Sequence, residues 1–315
     1  MTRPAVAVIG GGAWGLALAG AAARTGGPTR LLSRRAHDGA LPAGVTLAHD
    51  EAEVAAHARL ILLAVPSGIA REVARRLGAH VDGGHFVVHG VRGLVGEAME
   101  SISNVVRDET PVRRVGALGG PALAADLLAG RPSVMVCGSH YPEVNRALEA
   151  AFGSPSLRLY ATEDLLGLEW ASALVGCIAI GVGYARGVGL GPGLIAAVIT
   201  RAVEEGARLA AAAGGNERTL FGLAGYGDLL ASIAQAERPE VLVGEALAAG
   251  KTLEQALSHV NQRVEAVELT ARIVTWAEAA GIRVPVFEAL ARGILRGRAT
   301  DALVRELMTG PIIRG

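Results

Sequence analysis

Residues 5–23 read AVAVIGGGAWGLALAGAAA, and this stretch decides the fold. An apolar run over residues 5–9 leads directly into a G-x-G-x-x-G turn over residues 10–15, and small helix-forming residues follow. That order predicts a strand, a tight glycine turn and a helix. Such a turn lets a pyrophosphate approach the backbone, and the free N–H groups at the helix start favour its negative charge. We therefore predict that a dinucleotide binds at Gly10, Gly12, Ala13, Trp14 and Gly15.

The same uncharged stretch also resembles the apolar part of a signal peptide, because a basic residue precedes it and small residues end it. Its glycines make it a poor membrane helix. A second strand pattern over residues 29–33 then follows, as a βαβ unit requires. The dinucleotide interpretation accounts for both segments.

Composition limits the classes of partner. The chain has 315 residues, enough for two domains, and its formal net charge is zero. Because nucleic acids and anionic membrane surfaces require a basic patch, we expect neither as a partner. Cys137 and Cys177 lack metal-ligand spacing, so we predict no metal site and a location in a reducing cytoplasm.

Strand and helix patterns alternate through the first half of the chain. Short apolar runs recur at residues 60–65, 86–89, 115–118, 134–137 and 157–160. This alternation of strands and helices predicts an α/β fold whose N-terminal part is a Rossmann-like, doubly wound and mostly parallel sheet. Ligands are expected at the carboxyl ends of its strands.

The second half is predicted to be all helical, with long amphipathic segments at residues 195–213 and 253–280. We place a boundary near Ala161, between an NAD(P)-binding domain (1–160) and an all-α substrate and dimerisation domain (161–315). Residues 174–191 are apolar enough to suggest a membrane span, but Arg186 interrupts them, so we predict a buried helix. The apolar helical half leads us to expect a homodimer.

The order of motifs resembles the bacterial NAD(P)-dependent glycerol-3-phosphate dehydrogenase family, over almost the whole chain. The matching segments are the glycine turn with the helix after it, AVPS (64–67), GGP (119–121), DLLGLE (164–169), IAIG (178–181), AAVITR (196–201), GLAGYGDL (222–229) and VEAV (264–267). The resemblance implies hydride exchange between a nicotinamide and carbon 2 of a three-carbon phosphate. It also implies cofactor contacts at Pro66, Ala124 and Glu265, although Glu265 has an alternative as a partly exposed helix charge.

The second strand ends in Ser33-Arg34-Arg35, where an NAD-specific fold usually carries an acid for the ribose hydroxyls. Arg34 and Arg35 suit a 2′-phosphate instead, so we expect NADP in preference to NAD. Alternatively, both arginines are exposed loop charges.

The resemblance implies that the family's catalytic lysine is missing. The family has Ala-Leu-Lys-Asn where this chain has Ala173-Leu174-Val175-Gly176, and valine has no proton to exchange. Lys251 is the single lysine of the chain, and its position after Gly250 suggests a solvated helix end.

Three residues are candidates for a rebuilt catalytic site. Arg92 stands where the family has a second lysine, and it keeps a cation that can orient a substrate oxygen, phosphate or carboxylate. His89 ends the same strand and has an ordinary pKa near neutrality, but a lone histidine is more often structural. Asp228 matches a family residue of the catalytic network, with a helix N-cap as its alternative role.

The family's phosphate contacts are also altered, on the same resemblance. Its Ser-Arg-Asn trio corresponds to Arg238-Pro239-Glu240. Arg238 can supply the family's positive charge from one residue earlier, but Glu240 would repel a phosphate at close range. Gly176 and Ala122 replace a family asparagine and serine, which removes further polar contacts.

These observations leave three hypotheses open. The first is an active NAD(P)-dependent oxidoreductase that acts on a different small ketone or alcohol, including an anionic one. The second is a catalytically inactive NAD(P)H-binding protein that regulates a partner or an assembly. The third, ordinary glycerol-3-phosphate dehydrogenase activity, conflicts most with Val175, because loss of a proton-transfer residue typically costs ~10² to 10⁴ in rate.

Overall fold

A computed structural model describes residues 3–34, 41–235, 237–260 and 263–296 of the chain. Within these ranges the strands form one sheet in the order β3-β2-β1-β4-β5-β6-β7-β8. The strands are β1 (Val6–Ile9), β2 (Thr29–Leu32), β3 (Val45–Ala48), β4 (Leu60–Leu63), β5 (Phe86–His89), β6 (Arg114–Gly119), β7 (Ser133–Gly138) and β8 (Leu157–Thr162).

The sheet is mostly parallel, as predicted. Strands β1 to β6 run in one direction, β6 pairs with β7 in antiparallel fashion, and β8 is parallel to β7. The strand order reverses between β1 and β4, which is where ligands bind in doubly wound sheets. The predicted fold class is therefore confirmed. Two details were not predicted, namely the strand β3 and the reversed direction of β7 and β8.

Helices cover both faces of the sheet and the second half of the chain. Their bounds are α1 (Ala13–Arg24), α2 (Glu51–His57), α3 (Ser67–Gly78), α4 (Ile102–Glu109), α5 (Ala124–Ala129), α6 (Pro142–Phe152), α7 (Leu165–Gly187), α8 (Pro192–Ala212), α9 (Glu217–Phe221), α10 (Asp228–Ile233), α11 (Pro239–Ala248), α12 (Leu253–Val260), α13 (Ala266–Ala279) and α14 (Pro285–Arg296).

The central strands are uniformly apolar because the sheet is covered on both faces. Every residue of β1 and of β4 is buried. One layer of core joins the sheet to α1, α5 and α6, and the other joins it to α2, α3 and α4. These layers fix the carboxyl ends of β1, β4 and β5 along one edge.

Helix α7 follows the sheet and forms the centre of the helical half. It packs against α8 and α11 as well as against β6. Among the described helices it alone is long and apolar enough to cross a membrane, and most of that stretch is buried inside the protein. The prediction of a buried helix in this region is confirmed, although the helix begins earlier, at Leu165.

The predicted amphipathic segment over residues 253–280 is not one helix. It is divided into α12 and α13, and residues 263–265 are non-helical. This break lets Glu265 reach the sheet half of the molecule, where it contacts Ser67.

Candidate active site

The three glycines of the G-x-G-x-x-G motif, Gly10, Gly12 and Gly15, have different structural roles. Gly10 has φ +124°, and a Cβ there would lie 2.1 Å from the Ala64 carbonyl oxygen. A Cβ at Gly15 would lie 1.7 Å from the Gly10 carbonyl oxygen, so this glycine allows α1 to pack closely on the turn. A Cβ at Gly12 would meet nothing within 4 Å. The open space at Gly12 is where a phosphate can approach the backbone.

Helix α1 begins beside this space without a side-chain cap. Gly12 is its N-cap residue and offers no side-chain acceptor, so the first N–H groups, at Ala13 and Trp14, remain available. A groove of about 490 Å³ lies at this point of the sheet. It is lined by Ile9, Gly10, Gly11, Gly12, Leu32, Ser33, Arg34, His49, Glu51, Ala64, Val65, Pro66, Ile69, Val73 and Arg76. The residues present fit a dinucleotide.

Charges at the far end of the groove favour an additional anion. Arg34 is exposed and lines the groove, whereas Arg35 lies outside the described residues. The acid that lines the groove is Glu51, and its Oε1 lies 2.8 Å from Arg76 Nε. Because Glu51 is already paired with Arg76, no unpaired acid among the described groove residues compensates the positive charge of Arg34.

The loop after β5 lies between α1 and α3. A Cβ at Gly90 would lie 2.4 Å from Trp14 Nε1, and one at Gly93 would lie 2.9 Å from the Ser67 side chain. Arg92 is therefore carried by a loop that touches the dinucleotide turn on one side. Ala124, the first residue of α5, is half-buried in the same core layer as α1.

Glu265 caps a helix of the sheet half. Its Oε1 and Oε2 accept hydrogen bonds from the Ser67 backbone N–H at 3.1 and 3.2 Å, and Oε2 also accepts from Ser67 Oγ at 2.5 Å. Ser67 begins α3 directly after Pro66. A carboxylate at this position satisfies otherwise unpaired N–H groups and complements the positive end of the helix dipole. Glu265 is partly exposed at the start of α13, as its alternative role expected, and its carboxylate also binds Ser67.

Arg92 and Asp228 form the central ion pair of the candidate site. Arg92 Nη2 donates to Asp228 Oδ1 at 3.0 Å, and Ser232 Oγ donates to the same oxygen at 3.3 Å. The second nitrogen, Arg92 Nη1, and the second oxygen, Asp228 Oδ2, are buried and have no hydrogen-bond partner among the described residues. Buried polar atoms are almost always paired, so this donor and acceptor are available to a further group.

The alternative role of Asp228 as an N-cap is wrong. A π-helical turn, Leu223–Gly227, runs directly into α10, and Asp228 has helical backbone angles. Its side chain is fully buried and contacts Arg92 instead of the helix backbone. Burial raises the pKa of the Asp228 carboxyl, and the charges of Arg92 and Arg238 oppose this shift.

His89 is buried at the end of β5, beneath the loop that carries Arg92, and is not exposed at the surface. It is 1% exposed, and its Nε2 lies 2.9 Å from Glu169 Oε1 without the alignment of a hydrogen bond. Glu169 in turn accepts from the Ser103 backbone N–H at 2.8 Å and from Ser103 Oγ at 2.7 Å. His89 thus belongs to a buried network that joins β5, α4 and α7.

Helix α7 carries three small residues, Ser172, Val175 and Gly176, in its buried middle part. Val175 is 2% exposed, and Ser172 and Gly176 are one turn apart on the same face. The Ser172 Oγ is buried and has no hydrogen-bond partner within the described ranges. Sequence analysis missed Ser172 and Glu169. Both stand out as polar residues within the apolar stretch 165–183 of this helix.

Arg238 and Glu240 form a second ion pair at the start of α11. Arg238 Nη2 donates to Glu240 Oε1 at 3.3 Å, and Arg238 Nε lies 2.5 Å from Glu240 Oε2 without hydrogen-bond alignment. Burial lowers the pKa of the Arg238 guanidinium, and Glu240 opposes that shift. The charges of Arg238 and Arg92 both act on Asp228, so the two pairs are neighbours.

Comparison with known proteins gives consistent matches. The family models described as NAD-dependent glycerol-3-phosphate dehydrogenase N-terminus and C-terminus match residues 33–145 and 164–305. Glycerol-3-phosphate dehydrogenase [NAD(P)+] of Gluconobacter oxydans is 35% identical, with 99% of each chain covered. The protein of the same name from Teredinibacter turnerae is 32% identical, with 97% of this chain and 94% of that protein covered. The crystal structure of Coxiella burnetii glycerol-3-phosphate dehydrogenase superposes with a TM-score of 0.90 at 26% identity, over 98% of this chain and 99% of that one.

Proposed function

The chain belongs to the NAD-dependent glycerol-3-phosphate dehydrogenase family, and from this premise we propose that it interconverts a small alcohol and its ketone or aldehyde at a rebuilt site. Its relatives are named for an NAD(P)-dependent reaction on glycerol 3-phosphate. The chain is accordingly a dehydrogenase-like oxidoreductase that uses NAD or NADP. The substrate and the residues that act on it are the subject of the proposal.

One observation carries the proposal, namely the pair of buried unpartnered atoms Arg92 Nη1 and Asp228 Oδ2. An alcohol oxygen needs a donor to hold it and an acceptor for its proton. The ion pair between the other two atoms of these side chains holds this donor and acceptor next to each other.

The roles of the two residues follow from their chemistry. When bound, the nicotinamide accepts or supplies the hydride. Arg92 Nη1 donates a hydrogen bond to the substrate oxygen and stabilises negative charge on it. In the oxidation direction Asp228 Oδ2 accepts the hydroxyl proton, and in the reduction direction it returns that proton to the oxygen. Burial favours this role because it raises the proton affinity of Asp228.

The cofactor is held by the turn and groove. The N–H groups of Ala13 and Trp14 receive the pyrophosphate beside the open space at Gly12. Arg34 is the residue for a 2′-phosphate, and on that ground we propose NADP as the preferred cofactor.

Turnover assays test this proposal. NADPH oxidation is measured with a panel of small ketones and aldehydes that includes dihydroxyacetone phosphate, for the native chain and for Asp228→Asn. We expect turnover of at least one compound by the native chain and its loss in the variant. A cofactor-loaded native chain that turns over nothing across the panel would contradict the proposal.

A matched variant tests whether the native site performs the ordinary family reaction. Val175→Lys/Gly176→Asn introduces the two residues that the family resemblance implies at these positions. We expect activity on dihydroxyacetone phosphate to rise in this variant when Glu240→Gln is added, because Glu240 lies beside position 176 and opposes a phosphate. Equal activity of the native chain would instead support ordinary glycerol-3-phosphate dehydrogenation.

A second candidate function is that of an inactive NAD(P)H-binding regulator. Two observations favour it: Val175 is a buried aliphatic residue, and the charged groups form the closed pairs Arg92–Asp228 and Arg238–Glu240. It predicts tight NADPH binding that changes the oligomeric state or captures a partner, without turnover. Sedimentation with and without NADPH distinguishes the two functions. It also tests the proposed homodimer.

A further inference from the structure

The charges of the candidate site sum to zero. Two guanidinium groups, Arg92 and Arg238, face two carboxylates, Asp228 and Glu240, and each forms one ion pair. The side chains of Arg238 and Glu240 are 15% and 17% exposed. A partly desolvated pair of this kind is screened little by solvent, so Arg238 offers no free positive charge to a ligand.

Helix α7 makes room for Glu240. A Cβ at Gly176 would lie 3.5 Å from Glu240 Oε1 and 3.0 Å from the Ala266 Cβ, so a larger side chain at this position would displace one of them. Gly176 thus allows the Glu240 carboxylate to lie against α7, one residue beyond Val175. The carboxylate is therefore packed against α7 and is not a solvated surface charge.

An uncharged group is offered on the same face of α7. Ser172 lies one turn before Gly176, and its buried Oγ has no hydrogen-bond partner in the described part of the chain. A hydroxyl can both donate to and accept from a neutral hydroxyl group. The Ser172 Oγ lies against Gly119 at the end of β6, where a Cβ would be 2.5 Å from it, and the Glu240 carboxylate lies one turn further along the same face of α7.

We propose that Glu240 is a specificity-determining residue that neutralises Arg238 and makes the end of the site next to α7 accept an uncharged, hydroxylated substrate and reject a phosphate ester. A dianion placed beside Arg238 would also lie beside the Glu240 carboxylate, and the repulsion would offset the attraction. The inference rests on the proposed function in one respect, because it assumes that the substrate lies next to the Arg92–Asp228 pair.

A matched pair of ligands tests the inference, namely dihydroxyacetone and dihydroxyacetone phosphate, which differ only in the phosphate. Their Kd values are measured by calorimetry on the full chain loaded with NADP⁺, the oxidised cofactor, which cannot reduce either ketone. We expect the native chain to bind the neutral compound at least as tightly as the ester. We expect Glu240→Gln to shift the ratio of Kd values toward the ester by at least about tenfold, because one opposing charge is removed.

Two further variants show whether Arg238 is responsible. In Arg238→Gln/Glu240→Gln the gain is expected to disappear, because no positive charge is released for the phosphate. Glu254→Gln is the control, since Glu254 is exposed in the first turn of α12, and it should leave the ratio unchanged. Inorganic phosphate, followed by thermal shift, provides a second binding measurement in the same variants.

The outcomes separate this inference from the proposed function. If Glu240→Gln binds neither the ester nor inorganic phosphate more tightly than the native chain, the inference is wrong even when turnover of a neutral ketone is found. It is also wrong if the native chain prefers the ester. If the Kd ratio shifts as expected but no variant turns over any compound, the inference stands and the proposed catalytic function fails.

Discussion

Arg92 and Asp228 are 136 positions apart in sequence, yet Arg92 Nη2 lies 3.0 Å from Asp228 Oδ1 in the fold. Each side chain uses one polar atom for this contact and leaves another buried atom unpaired. The pair joins the loop after β5 to helix α10. Substitution of either residue therefore tests its proposed role, proton acceptance by Asp228 or hydrogen-bond donation by Arg92.

Replacement of Asp228 by asparagine should remove the proton acceptor while keeping the size of the side chain. We expect kcat to fall by ~10² to 10⁴ while the Kd for NADPH stays unchanged.

The pH dependence of the native enzyme gives a second test. In alcohol oxidation, kcat/KM should fall on the acidic side with an apparent pKa above the ordinary aspartate value of ~3.9, because burial raises the pKa of Asp228. Asp108→Asn, on the exposed face of α4, is the control. Native-like turnover by Asp228→Asn would exclude it as the proton acceptor.

Two alanine substitutions in the glycine turn should affect different properties, one the binding of the cofactor and the other the stability of the fold. Gly12→Ala adds a methyl group where nothing lies within 4 Å, so the melting temperature should stay the same while NAD(P)H binding weakens by at least about tenfold. Gly15→Ala places its Cβ 1.7 Å from the Gly10 carbonyl oxygen and should lower the free energy of unfolding by more than about 3 kcal/mol. Thermal unfolding and fluorescence titration measure both. Equal losses of stability would show that Gly12 has a packing role.

The cofactor preference should depend on Arg34. We expect Arg34→Ala to raise the Kd for NADPH about tenfold or more and to leave the Kd for NADH nearly unchanged, because only NADPH carries the 2′-phosphate. Arg113→Ala, at an exposed position before β6, controls for loss of general positive charge. If both Kd values change equally, Arg34 does not discriminate between the cofactors.

Stability should depend on pH through Glu205, a buried residue that accepts hydrogen bonds from the Val286 and Phe287 backbone N–H groups. Burial raises the pKa of Glu205 from 4.5 to about 7. Between these two values the folded chain holds a proton that the unfolded chain has released, so the free energy of unfolding should decrease as pH rises through this window. The total decrease in the free energy of unfolding over this window is on the order of 3 kcal/mol.

Urea unfolding at several pH values measures this dependence. Glu205→Gln should flatten the slope of the free energy of unfolding against pH, whereas Glu204→Gln, at its exposed neighbour, should not. An unchanged slope in Glu205→Gln would assign the pH dependence to another group.

The sheet could be predicted from sequence because its central strands are local apolar runs covered on both faces. Strand β3 was missed because it is an edge strand, and two of its four residues, Thr46 and Leu47, are exposed. The reversed direction of β7 was also missed. An apolar run has the same pattern in either direction, so strand direction depends on the path of the connecting chain.

The candidate site was predicted only in part. The glycine turn is a continuous motif, and Arg92 and Asp228 lie in segments that match the family. The pairing of Arg92 with Asp228 and the cap that Glu265 forms on Ser67 join distant segments, so no local pattern contains them. Ser172 and Glu169 could have been found as the polar exceptions in an apolar helix.

Two carboxylates of the helical half cap helices of the sheet half, Glu265 at Ser67 of α3 and Glu169 at Ser103 of α4. A fragment that ended at the boundary proposed near Ala161 would leave the first turns of both helices without these acceptors. A hydrogen bond to a carboxylate contributes about 1.5–3 kcal/mol, so the loss of both contacts would remove a large share of the stability of an ordinary domain. The two halves should therefore unfold in a single cooperative transition, and the cofactor-binding half should not be an autonomous folding unit.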